Sequence, residues 1–547
     1  MKKTYLFITC LMFLALKPYA QLSISKAWDK RYGGNDADVF SSVLETNHNG
    51  YLLIGSAYSG VGGDKSEPNW DSTLESPDIW LVKLDSNGQK QWDRRFGGTD
   101  IDAATCGLQT SDGGYLIGGK TGSLANGDVT DPPRGNYDFW VLKLDSLGNK
   151  LWDKRYGGSQ EDELVSMVSA TNGDYILAGT SLSGQSGDKT QPSRGAEDYW
   201  LLRIDNSGNK IWDKRFGGSK VEFCSKVVRA DATNFIVGGI SLSKVDGDKT
   251  CPNPSSNPSF GDVYNYWLVK FDSAGNKIWD KTLGSNGGVY LYGLENAGNN
   301  EFVLAGSSGA GPSDDKTDTS RGLLDFWIIK IDSVGNRIWD RTYGGGDDDE
   351  GRTICQTQDK GYLICGNTLS QAGGDKSENN LAPRQIWLVK TDSLGNKEWE
   401  KTILMNGNAV QGVAIQNSAG AYVVCNVNNA GIGGYKSENA WNGSGDYWIM
   451  EFDVSTVDVR EVNNELNIRV YPNPFNSYLT IDFPKLNSER ANFFLYNVVG
   501  ELVFSCSLSE IANNRNYSVD LSHLPGAVYF AEVRTANKIF KTKVFKE

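Results

Sequence analysis

Histidine is nearly missing from this sequence: His48 and His523 are the only two in 547 residues. A histidine-based triad or a His-ligated zinc site is therefore not expected. Cysteine is scarce as well. Of eight, Cys10 lies in an apolar N-terminal run, and the other seven are scattered without a CxxC pair. They read as thiols buried in strands, with Cys355–Cys365 and Cys224–Cys251 the two bridges worth weighing. Basic charge is short, with 54 Lys and Arg against 67 Asp and Glu. The N-terminal run carries three lysines and the last eighty-odd residues a net +2, which leaves −18 between them. A body this acidic repels nucleic acid and anionic membrane, and suits a cation or a neutral ligand such as a glycan better. Long apolar runs are lacking beyond the N-terminus, so no transmembrane helix is expected.

Glycine is abundant (63 against 15 Pro) and aromatics make up 11%. That combination predicts many short strands joined by tight turns. Residues 1–20 are set apart. Lys2 and Lys3 precede the apolar run Tyr5 to Leu16, and a small residue, Ala20, precedes Gln21. This pattern reads as a secretory signal.

Two tryptophan series beat along the chain. Trp28, Trp92, Trp152, Trp212, Trp279, Trp339 and Trp399 open "WDK"-like stretches, 60 residues apart in four of six intervals and 64 and 67 in the others. Trp80, Trp140, Trp200, Trp267, Trp327, Trp387 and Trp448 keep the same time inside "DIWLVKLD" and its relatives. Each unit divides into four strand-like pieces, a ("DVFSSVLET"), b ("GYLLIGSA"), c ("DIWLVKLD") and d ("KQWDRRFGG"), with Asn/Asp/Gly hairpin turns between a and b and between c and d. The "DSxGN" turns read as hairpins, not calcium loops. Seven such meanders predict an all-β fold with a seven-bladed β-propeller over residues 21–454. The seventh unit runs from c into "VSTVDVREV" with no d, while "KAWDKRYGG" stands alone before the first a. The N-terminal strand is expected to close the ring by completing the last blade.

A linker is expected at 455–465 and a small Ig-like β-sandwich at 466–547. Tyr471-Pro472-Asn473-Pro474 enters a strand, "LYNVVG" follows at Leu495 to Gly500, "DLSHLPGAVYF" at Asp520 to Phe530, and Lys541, Lys543 and Lys546 make a basic end. This segment resembles the C-terminal sorting domain of the type IX secretion system of Bacteroidota. The resemblance implies passage through the periplasm, export across the outer membrane by that machinery, and a secreted or surface-displayed product. The repeats resemble bacterial propeller repeats of the "DGGY…DYWLVKLDSxGN" type, which implies a fold and no particular activity.

Chemistry is expected where the d–a and b–c connections emerge, because the b–c loops are long and varied. Asp38, Asp102, Asp162, Glu222 and Asp349 recur at the entry to strand a and read either as a carboxylate ring at a channel mouth or as repeated structural hydrogen bonds. The b–c loops end in Trp70, Arg134, Arg194, Arg321 and Trp441 at equivalent positions. Trp70 and Trp441 fall in units that closure makes neighbours, where two aromatics could stack on a sugar or grip a peptide. Basic residues on strand c, such as Lys83, are expected to pair across to acids on strand d, such as Asp93. The expected function is a glycan- or protein-binding module with no metal or cofactor. The competing reading is a hydrolase or lyase acting on polysaccharide through loop carboxylates such as Asp347 to Asp349.

Overall fold

The structure is a computed structural model and describes residues 21–254, 262–457, 469–482, 491–497, 502–507, 516–534 and 539–547. The expected signal segment and most of the expected linker lie outside them. Among the described residues regular structure is β, apart from two single-turn 3-10 helices.

The larger of two compact units, Ile24–Val454, is a β-propeller built from four-stranded antiparallel sheets, seven in number among the described residues. The first orders a (Asp38–Thr46), b (Gly50–Ala57), c (Asp78–Leu84) and d (Lys90–Phe96). Its c–d turn is closed by Asp85, whose Oδ1 accepts from the backbone N–H of Asn87 and Gln89 at 2.9 and 2.8 Å. Gly88 takes the positive φ (72°) that this hairpin requires. Five more sheets repeat the order. The last holds Ala409–Gln416, Tyr422–Asn428 and Asp446–Val457, and its fourth strand is Gln21–Tyr32 from the start of the chain.

Both tryptophan series are explained by sheet stacking. The c-strand indoles are wholly buried. Each donates Nε1–H to the acid of its own sheet's d strand, as Trp80 does to Asp93 at 3.1 Å and Trp387 to Glu400 at 2.6 Å. In the last sheet Trp448 reaches Asp29 of the N-terminal strand at 3.0 Å. These rings also pack on an aromatic of the preceding sheet: Trp200 on Phe139 (4.8 Å), Trp267 on Tyr199 (5.0 Å), Trp387 on Phe326 (5.0 Å). Trp80 of the first sheet meets Tyr447 of the last at 5.0 Å, so the same contact joins the two ends. Burying an indole in this way stabilises by about 2–3 kcal/mol or more. The d-strand indoles lie over the next sheet's turn glycine, where a Cβ on Gly148 would come within 2.9 Å of Trp92.

The expected Lys83–Asp93 pair does not form, although Lys390 does meet a d-strand acid, Glu398, at 2.8 Å. Register sets Lys83 opposite Trp92 and Asp93 opposite Val82. The c-strand base turns instead to the a–b turn, as in Lys143–Asp112 and Lys390–Asp359, both 2.8 Å. Asp93 takes Lys90 at 2.9 Å, the backbone N–H of Ser66, and the indole. Burial pushes these d-strand carboxyls up, yet their donors outweigh it: Asp29, Asp93, Asp213 and Asp340 sit below the usual range, and Asp280 at about 2. All seven described cysteines are free thiols, so neither weighed bridge is formed.

The second unit contains two sheets. One orders Arg469–Tyr471, Tyr478–Asp482 and Asn516–Asp520; the other Leu502–Ser507, Asn492–Tyr496, Val528–Arg534 and Ile539–Phe545. They share one apolar core that includes Phe475, Leu479, Phe493, Val519, Tyr529 and Val544.

Candidate ligand-binding site

The expected loop-face residues form a repeated latch between sheets. The b–c loop carries an aspartate whose backbone N–H and carboxylate hold the preceding d–a connection: Asp64 donates to the Gly33 carbonyl at 2.7 Å and accepts from its N–H at 3.2 Å. Trp441 donates its Nε1–H to Asp64 at 3.1 Å, and Trp70 donates to Asp128, one sheet further on, at 3.0 Å. Arg134, Arg194 and Arg321 make the same step as ion pairs, to Asp188 (2.6 Å), Asp248 (3.2 Å) and Asp375 (2.9 Å). Trp70 and Trp441 therefore lie at successive seams and do not form a common platform. One face of each is already taken, by Arg95 at 4.9 Å and Arg31 at 4.4 Å, although the rings stay 45% and 37% exposed.

Asp38, Asp102, Asp162, Glu222 and Asp349 are wholly buried, which overturns the open carboxylate ring. Each accepts the N–H of the glycine four residues earlier at 2.6–2.7 Å, as Asp102 does from Gly98 and Asp349 from Gly345. Ser123, Ser183 and Ser370 add hydroxyl donors at 2.9 Å. Burial raises Asp38 and Asp102 to about 7 and Asp349 to about 6, against the pull of these donors. Their repeated task is to fasten the turn from d into the next a.

A different set of residues surrounds a cavity of about 590 Å3. Every a strand carries a β-bulge, and the unpaired residue lines the cavity: Ser41, Thr105, Val165, Ser225, Tyr292, Arg352 and Gly412. One contribution from each of seven a strands places the cavity on the axis around which the sheets are arranged. Its wall is uneven. Phe223 (38% exposed), Tyr264 and Tyr290 (36% exposed) form a run with centroids 6.3 and 6.1 Å apart. Tyr292 adjoins them under the Arg352 guanidinium, 4.5 Å from the ring. Arg352 is paired with Glu350 at 2.7 Å, and its Nε has no hydrogen-bond partner among the described residues. Gln411 lines the cavity from a left-handed backbone position, φ 55°. Sequence reasoning missed this site. One available signal was the 67-residue interval that brings Tyr264 in at the end of the longest b–c loop.

No group of three or more His, Cys, Asp or Glu suited to a metal occurs among the described residues. No helix there is long and apolar enough to cross a membrane.

In the second unit the Tyr-Pro-Asn-Pro stretch is tied to the end of the chain. Asn473 Oδ1 accepts from the Phe545 N–H at 2.8 Å and its Nδ2 donates to the Lys543 carbonyl at 3.0 Å. Residues 469–547 match the secretion system C-terminal sorting domain. This sorting domain supports secretion through the type IX system, to the medium or the cell surface. Within it Lys546 donates to the carbonyls of Leu521 and Ser522, so the basic end and the "DLSHLPG" stretch hold one another. Of "LYNVVG", Val498 to Gly500 lie outside the described residues.

The chain is also similar to Regulatory protein FlaEY of Caulobacter vibrioides, 26% identical over 222 residues; the match covers 39% of this chain and only 23% of that protein. Among solved structures, the Neurospora crassa Pan2 WD40 domain aligns over 79% of this chain and 96% of its own, with 9% identity and a TM-score of 0.42. A Dyadobacter fermentans protein of unknown function covers 79% and 99% with 12% identity and a TM-score of 0.41. A Synechocystis apocarotenoid oxygenase covers 75% and 88% with 10% identity and a TM-score of 0.37.

Proposed function

We propose that this protein is an exported binding module: a seven-bladed propeller closed by its N-terminal strand, carrying an Ig-like sorting domain read by the type IX machinery. The ligand site is the axial cavity, not the loop latch. The observation that carries this reading is the aromatic run Phe223, Tyr264 and Tyr290 left partly exposed on a concave wall, beside the polar Arg352 and Gln411. Concave sites with an apolar wall and a few convergent polar groups are where small ligands and chain ends bind.

Binding is favoured over hydrolysis by where the acids lie. Asp349 is spent on Gly345 and Ser370, and Asp348 accepts from the Leu324 N–H. A pair of carboxylates flanking a bond needs both groups free on one cleft.

The test is a binding screen of the full-length protein against oligosaccharides and extracellular-matrix proteins, with turnover measured in parallel. Saturable binding without product, weakened by Tyr290→Ala, is the expected result. Turnover lost on Asp347→Asn would replace the module with an enzyme.

A further inference from the structure

We propose that the axial cavity takes the terminal sugar of a neutral polysaccharide. This rests on the cavity being the binding site and names the ligand class it suits.

The aromatic run offers ring faces and edges at spacings that suit the C–H face of a pyranose. The polar side carries no net charge. Arg352 and Glu350 neutralise one another at 2.7 Å, which leaves a planar guanidinium, pinned on Tyr292, to present directed donors. Its Nε is buried and is not among the donors offered. Neighbouring sugar hydroxyls present the pair of oxygens that such a fork engages. Gln411 adds an amide that both donates and accepts, held by a backbone conformation a glutamine rarely adopts. The hydroxyls of Thr105 and Ser225 already donate to the carbonyls of Leu164 and Leu291, both at 2.6 Å, so toward the cavity they offer lone pairs that a sugar O–H can use.

Charge selects among glycans. The body between the signal segment and the tail carries −18, and no unpaired base lies in the cavity to offset it. A uronate chain would be repelled on approach and unmatched on arrival. The volume falls in the range of about 300–1,000 Å3 typical of small-ligand clefts, room for a chain end rather than a long groove.

The experiment is titration calorimetry of the full-length protein with maltohexaose, cellohexaose, xylohexaose and mannohexaose as neutral probes, and with hexagalacturonate and an aromatic hexapeptide as contrasts. We expect saturable binding of at least one neutral probe, little changed between 50 and 500 mM salt. Tyr290→Ala and Arg352→Ala should each weaken it about tenfold or more, as should Gln411→Ala to a smaller degree, with melting temperatures confirming that the variants fold. Trp70→Ala should leave it unchanged. Binding of hexagalacturonate or the peptide alone, lost in Tyr290→Ala, would overturn the neutral sugar while sparing the cavity as the site. Neutral binding that survives both Tyr290→Ala and Arg352→Ala would overturn the cavity itself. Absence of saturable binding by any probe would overturn both.

Discussion

The seams between sheets and the wall of the axial cavity are built from the same repeat in opposite ways. At the seams one residue type returns at the same place in nearly every unit: the buried c-strand indole, the d-strand acid beneath it, the b–c aspartate with its Trp or Arg partner. In the cavity the equivalent positions vary, from Ser41 and Ser225 to Tyr292 to Arg352. Repetition here marks what holds the scaffold, and departure from it marks the wall proposed to meet a ligand.

Experiments can break this contrast in order of effect. Deleting Leu22 to Gly34 removes the edge strand of the last sheet and the acid under Trp448. We expect loss of cooperative melting altogether, followed by calorimetry. Next, Trp327→Ala at a seam should cost about 3–5 kcal/mol in denaturant titrations, whereas Tyr290→Ala in the cavity should cost about 1 kcal/mol or less. Equal costs would erase the distinction.

The buried acids give a pH test. Asp38, Asp102 and Asp349 have native values of about 7, 7 and 6, above the roughly 4 of an unfolded chain. The native state therefore keeps protons that the unfolded state has released. Their contribution is fully present below about pH 4 and is lost as pH rises through 6 to 7. The melting temperature should decline across that window, and Asp102→Asn should flatten the decline. The d-strand acids act oppositely: Asp280, held at about 2, contributes above about pH 4 and fails as pH falls toward 2. The smallest effects belong to the latch. Trp70→Ala or Trp441→Ala should cost about 1 kcal/mol, and Arg134→Ala less, since its ion pair is partly solvated.

The fold was legible because a period fixes architecture, and because the missing d of the seventh unit and the spare one at the start have a single economical solution. The meaning of individual repeated residues was less so. Trp70 and Trp441 drew attention as the two tryptophans outside the main series, yet each stands where other units place an arginine, doing the same work toward the next aspartate. The cavity was hidden for a geometric reason. Alternation along a strand predicts which side chains face inward, and a bulge in each a strand resets that alternation at the residue that matters. Phe223 and Tyr290, at a repeat position where other units carry Val39, Ala103, Glu163, Glu350 and Val410, were a clue as well.

The borrowed N-terminal strand also sets a timetable. Asp29 and Trp448 are 419 residues apart, so the contact that completes the last sheet waits until almost the entire repeat array has been made or threaded out. Such distant pairing is slow, because the entropy of bringing the ends together must be met before any reward. A fold whose earliest segment is among the last to find its place ties its own completion to the far end of the repeat array.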